Sequence, residues 1–88
     1  MPYEVLERIE KAGIIPVVVI EDASKATRLG RTLLEAGLDT IEITMRTKRA
    51  IEAIKILDSE LPELLIGAGT VFSLSMAKEA LSAGAHFI

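Results

Sequence analysis

Three times in this chain an alanine-glycine pair closes a stretch of helical apolar spacing and leads at once into aliphatic residues: Ala12-Gly13-Ile14, Ala36-Gly37-Leu38 and Ala83-Gly84-Ala85. Glycine ends a helix in the left-handed conformation without a steric penalty, so each of these sites reads as helix, turn, strand. Strand starts then fall roughly 20 to 26 residues apart, a spacing that suits βα units of a parallel sheet.

The segments between these marks fit that reading. Pro2 to Ala12 carries Val5, Leu6, Ile9 and Ala12 at helical spacing, and residues 14–20, IIPVVVI, follow as a β-branched strand. Asp22 is a natural N-cap for a second helix with Ala26, Leu29, Leu33 and Ala36 on one stripe. Residues 39–46, DTIEITMR, form a second strand. Thr47 is placed to cap a third helix, with Ile51, Ile54, Leu57 and Leu61 inward and Pro62 stopping it. Residues 64–71, LLIGAGTV, are a third strand. Ser73 opens a fourth helix with Leu74, Ala77 and Leu81 inward, and residues 85–88, AHFI, begin a fourth strand.

Composition narrows the class. Half of the 88 residues are apolar and only 3% are aromatic, which fits an aliphatic α/β core. A net charge of −3, with the lysines and arginines scattered, leaves no basic stripe for nucleic acid or for an anionic membrane. With no cysteine, disulfide and thiolate-metal chemistry are excluded. The longest apolar run is far too short to span a bilayer and the acidic N-terminal segment lacks a basic leader, so the expected location is cytoplasmic.

Parallel strands joined by helical crossovers occur in doubly wound open sheets and in (β/α)₈ barrels. The second strand separates the two. Period-two alternation sets Ile41, Ile43 and Met45 on one face and Thr40, Glu42, Thr44 and Arg46 on the other. In an open sheet that second face would bury two charges under helices, at a cost of several kcal/mol per ion. In a barrel it faces the lumen. The expected fold is therefore α/β, parallel βα units forming the N-terminal half of a TIM (β/α)₈ barrel, with residues 1–88 as one half-barrel segment and no second domain. Four strands cannot close a barrel, and open parallel edges favour self-association, so a truncated chain is expected.

PVVVI, IEITMRT, IGAGTV and AGAHFI, in this order and spacing from about Ile14 to Ile88, resemble the N-terminal half of the 2-keto-3-deoxy-6-phosphogluconate (KDPG) / 4-hydroxy-2-oxoglutarate aldolases. The resemblance implies a class I aldolase on a (β/α)₈ barrel, usually trimeric. It implies a Schiff base between a lysine and pyruvate, with no metal or organic cofactor, and a 2-keto acid as the small-molecule partner.

Glu42 matches the family's proton-transferring glutamate, which suits a reaction in which a carbinolamine loses water and an enamine carbon exchanges a proton. The same residue also suits a structural ion pair. Arg46, about 13 Å further along an extended strand, matches the arginine that holds the substrate carboxylate, a task fitted to a planar bidentate donor. Its plain alternative is a rim arginine paired with a helix acid. Gly69 and Thr70 in Gly67-Ala68-Gly69-Thr70 would contact the pyruvyl carboxylate by the same resemblance; tight strand-to-loop packing explains the glycines equally well. Arg49 belongs on the solvated first turn of the third helix. His86, the lone histidine, is read as a hydrogen-bonded structural group rather than a metal ligand. Met45, Met76 and Phe87 are read as core, and Pro16 marks an irregular strand.

The family's Schiff-base lysine lies on a sixth strand and its phosphate site on later ones. The lysines at 11, 25, 48, 55 and 78 fall on helices or helix starts, so the 88-residue chain alone is expected to lack aldolase activity. The competing expectation is a non-catalytic half-barrel or flavodoxin-like module that associates with itself.

Overall fold

The computed structural model describes residues 3–88. Its order is α1 (Tyr3–Ala12), β1 (Val17–Val18), a 3₁₀ turn (Ala23–Lys25), α2 (Ala26–Glu35), β2 (Thr40–Thr44), α3 (Ala50–Glu60), β3 (Leu65–Gly69) and α4 (Leu74–Ala83). The strands are parallel in the order β1-β2-β3, and a single parallel bridge joins Gly67 to Phe87 beyond β3. Gly13, Gly37 and Gly84 all have positive φ, as the repeated helix endings require.

Register assigns the faces. β2 pairs with β3 from Thr40↔Leu65 to Thr44↔Gly69, and β1 meets it at Val17↔Glu42 and Val18↔Ile43. Residues opposite one another in a parallel ladder share a face. Ile41, Ile43, Ile66 and Ala68 therefore point to the helical layer, where they join Ala53, Ile54 and Leu57 of α3 in the main core. Ile54 and Leu57 are fully buried, each contributing about 1.5–3 kcal/mol by removal from water. The opposite face carries Thr40, Glu42, Thr44, Leu65, Gly67 and Gly69. Its lower part is covered by α1, for Val5 and Ile9 pack with Ile15, Leu65 and Phe87 in a second, smaller cluster. Above it Thr44 is buried and Glu42 and Gly69 are half-buried, and the face is open on the β1 side. Val17 and Val19 stand 63% and 46% exposed.

This is the architecture of the N-terminal part of a (β/α)₈ barrel, but several elements differ from expectation. β1 has two paired residues instead of seven, because it lies at the sheet's edge and Pro16 has no N–H to give the ladder. The fourth strand is reduced to the bridge at Phe87. β2 ends at Thr44, so Met45 and Arg46 lie in the following turn rather than on the strand.

The helices are also corrected in detail. Asp22 caps the 3₁₀ turn, accepting the Ser24 N–H at 3.0 Å, and α2 begins only at Ala26. Thr47 does not cap α3, which starts at Ala50; its hydroxyl accepts the Arg49 N–H and donates to the carbonyl of Ile20 at 2.5 Å. Ser73 does cap α4, accepting the Met76 N–H at 3.1 Å. The buried side of α4 is Ala80 and Ala83, whereas Leu74 and Leu81, expected inward, are exposed. Pro2 lies outside the described residues. Among those residues no helix is long and apolar enough to cross a membrane.

Candidate functional site

Alternation along β2 puts Glu42 in the middle of the open face, half-buried, directly opposite Gly67 in the register. Its side chain does not lie straight across. A β-carbon built on Gly69 would overlap a carboxylate oxygen of Glu42 and would come within 2.7 Å of its Cδ and 3.1 Å of its Cγ. The carboxylate thus leans toward the C-terminal end of β3 and occupies the space that a side chain at Gly69 would fill. Gly67 has its own occupant. The Phe87 ring lies over its α-carbon, with Cδ2 only 2.9 Å from where a β-carbon would stand.

Two backbone features continue the site above Gly69. The Met45 N–H donates to the Gly69 carbonyl at 2.8 Å, carrying the ladder one bond past the end of β2. Arg46 and Thr70 are therefore the next residues after a hydrogen-bonded pair, at the same C-terminal end of the sheet. Thr70 is half-buried at φ +58°, the left-handed region, which is uncommon for a β-branched residue and costs on the order of 1–2 kcal/mol. Arg46 is exposed and, among the described residues, forms no ion pair. Arg49 does pair, with Glu52 at 3.6 Å on the exposed first turn of α3.

Hydroxyls tie the neighbouring loops. Thr44, buried, donates to the Val18 carbonyl at 3.2 Å, and Thr47 reaches the Ile20 carbonyl. Asp22, just beyond Ile20, is held below the ordinary carboxylate value of 3.8 by its hydrogen bond from the Ser24 hydroxyl and then by the one from the Ser24 N–H.

The arrangement supplies, at one end of a parallel sheet, a half-buried carboxylate, a hydroxyl and an exposed arginine. The structure brings Glu42, Gly69 and Thr70 together through the β2–β3 register and sets Arg46 in the adjoining turn. His86 has a structural bond: its Nδ1 accepts the Ile66 N–H at 3.0 Å. Sequence reasoning gave no particular work to Thr44 or to the Gly67–Phe87 contact. The signal for the second is the alternation of small residues in residues 67–69 once aligned opposite Glu42 and Thr44.

Residues 5–88 match the family described as "Aldolase: KDPG and KHG aldolase". The 2-dehydro-3-deoxy-phosphogluconate aldolase of Treponema pallidum is 39% identical over 84 residues, covering 96% of this chain and 40% of that protein. The enzyme of the same name from Zymomonas mobilis is 43% identical over 86% of this chain and 36% of its own length. Among solved structures, the Zymomonas mobilis ZM4 2-keto-3-deoxy-6-phosphogluconate aldolase with 3-phosphoglycerate superposes with a TM-score of 0.86 at 39% identity, covering 96% of this chain and 40% of that one. The Legionella pneumophila KDPG aldolase, with pyruvate captured as a covalent carbinolamine intermediate, gives 0.80 at 40% identity, over 83% and 35% of the two chains. The chain thus spans about two fifths of the length of the relatives it matches.

Proposed function

The chain belongs to the KDPG and KHG aldolase family over residues 5–88, and from that premise we propose that it supplies the proton-transfer and carboxylate-binding part of a class I aldolase acting on a 2-keto-4-hydroxy acid. The observation that carries this reading is the Glu42 carboxylate lying over Gly69, beside Thr70 and the Arg46 turn at the C-terminal end of the sheet.

In the reaction a lysine amine adds to the C2 carbonyl, and the carbinolamine loses its hydroxyl as water, taking a proton from Glu42. The iminium then draws the electrons of the C3–C4 bond toward nitrogen. Cleavage releases the aldehyde as the C4 hydroxyl gives up its proton to the Glu42 carboxylate, and Glu42 returns a proton to C3 of the enamine. Water hydrolyses the resulting iminium to pyruvate and free lysine. Arg46 and Thr70 hold the carboxylate of the keto acid so that C2 and C3 stay fixed against Glu42, and Gly69, having no side chain, leaves room for the Glu42 carboxylate beside them. Lys11, Lys55 and Lys78 stand on helices, Lys25 on the 3₁₀ turn and Lys48 in a turn; these placements support the reading that the nucleophile belongs to a later strand of the barrel and that residues 1–88 by themselves do not form the Schiff base. Homo-oligomeric assembly of the complete barrel is part of the proposal, supported by the apolar side chains of Phe72 and Leu74, 83% and 71% exposed.

Two measurements test it. Borohydride reduction of the chain with pyruvate should leave no pyruvyl adduct on any lysine. A chimeric barrel in which residues 5–88 replace the matching segment of the Zymomonas mobilis relative should trap pyruvate and release it from KDPG, with Glu42→Gln slowing turnover by about 10²-fold or more. A chimera that traps pyruvate yet fails to cleave would overturn the reading.

A further inference from the structure

The two glycines at the end of β3 are filled by different groups. Gly67 stands directly opposite Glu42 in the register, yet the space above it belongs to the Phe87 ring. The direct path across the sheet is thereby closed to the Glu42 side chain. The diagonal path is open, because the three heavy atoms nearest to a β-carbon built on Gly69 are Oε2, Cδ and Cγ, all of Glu42. Gly69 also lies outside the left-handed region, so its backbone makes no demand for glycine. An ordinary strand position would favour a residue with a side chain, since glycine within a strand is destabilising by roughly 0.5–1 kcal/mol relative to alanine.

From these observations we propose that Gly69 is a positioning residue: its missing side chain is the socket of the Glu42 carboxylate, and Phe87 seated on Gly67 directs the carboxylate into it. The pair of glycines thus sets the height of the carboxylate along the sheet. Moved down by two register pairs, from Gly69 to Gly67, the carboxylate would lie roughly 7 Å from its present level, next to the apolar cluster under α1. In its socket it stands beside the backbone of Gly69 and Thr70. This deepens the reading of Glu42 as proton carrier and rests on it for its catalytic consequence, while the socket itself is a matter of packing.

A double-mutant cycle on the stability of the 88-residue chain tests the socket. With Glu42 present, Gly69→Ala should lower the folding equilibrium constant by about tenfold or more, as overpacking does. In the Glu42→Ala background the same change should be neutral or should raise the constant, because a strand prefers alanine to glycine. If Gly69→Ala alone does not fold, recovery of folding in the Gly69→Ala/Glu42→Ala chain gives the same result. An equal loss in both backgrounds, or a double variant that stays unfolded, overturns the proposal. In the chimeric barrel, Gly69→Ala should lower kcat by about 10²-fold with KM changed less than about threefold, as a misplaced catalytic group does. Glu42→Asp, one methylene shorter, should raise kcat in the Gly69→Ala barrel and lower it in the parent. An inactive parent chimera would remove the proton-carrier reading, and the stability cycle decides the socket independently of it.

Discussion

Arg8 of α1 and Asp39 ahead of β2 meet at 3.2 Å between Nη2 and Oδ2, and the same nitrogen donates to the Glu63 carbonyl at 3.0 Å. One guanidinium thereby moors the helix that covers the lower end of the open face to the entries of β2 and β3. Both side chains are partly exposed, so the ion pair contributes only about 0.2–1 kcal/mol and the carbonyl bond a comparable amount. Arg8→Ala should lower stability by about 1 kcal/mol in a urea titration, and 1 M salt should remove only part of that difference, because the bond to the carbonyl is not screened as the pair is.

Thr70 holds a left-handed backbone that asparagine tolerates far better than a β-branched residue. Thr70→Asn should therefore raise stability by about 0.5–1 kcal/mol, read as a melting temperature some 2–8 °C higher for a domain of this size. Under the proposed function the same variant in the chimeric barrel should lose activity. Stability and catalysis would then move in opposite directions, as expected where strain is kept at a working site.

Gly30 opposes two effects of similar size. Helix propensity favours alanine by about 1 kcal/mol. Yet a β-carbon there would stand 2.6 Å from Leu61 Cδ1 and 3.0 Å from Leu57 Cδ2, both in the buried core between α2 and α3. Overpacking costs about 1–3 kcal/mol and should win. Gly30→Ala is expected to destabilise by about 1 kcal/mol in chemical denaturation, and Leu61→Ala in the same chain should reduce that penalty.

Asp22 gives a pH signature. Its folded carboxyl titrates below the ordinary 3.8, first through the Ser24 hydroxyl and then through the Ser24 N–H. A group depressed in this way adds stability above its unfolded value and loses it as pH falls through the folded one, so the contribution should fade below about pH 4. Asp22→Asn should flatten that part of the stability–pH profile by lowering stability in the neutral region, with the two chains converging in acid where the carboxyl of Asp22 is protonated. Thermal melts between pH 2 and pH 7 would check it.

Local rules in the residues made much of the fold readable. The three Ala-Gly endings, the stripe Ile54-Leu57-Leu61, the Ser73 cap and the alternation of β2 are each decided within a few positions, and each stands as expected. Features that depend on neighbours in space were not. The length of β1 depends on its being an edge, and the inward side of α4 is set by its approach to α3, which wants small residues at Ala80 and Ala83 rather than Leu74 and Leu81. Arg46 was expected on the strand with Glu42; alternation cannot say where a ladder stops, and β2 stops at Thr44. Of the site, the residue types were legible from motif, but the lean of Glu42 onto Gly69 needs the β2–β3 register, and no single segment contains it.

The shortness of β1 has a mechanical consequence. With two paired residues, that margin of the sheet is held by the hydroxyls of Thr44 and Thr47 on the carbonyls of Val18 and Ile20, as if by stitches. β2 and β3 share five register pairs and a covered side. The earliest opening of the native molecule should begin along the stitched margin, with amides near Val19 exchanging well before those of Ile43 and Ile66, so the carboxylate of Glu42 rests on the slow part of the molecule while its rim breathes.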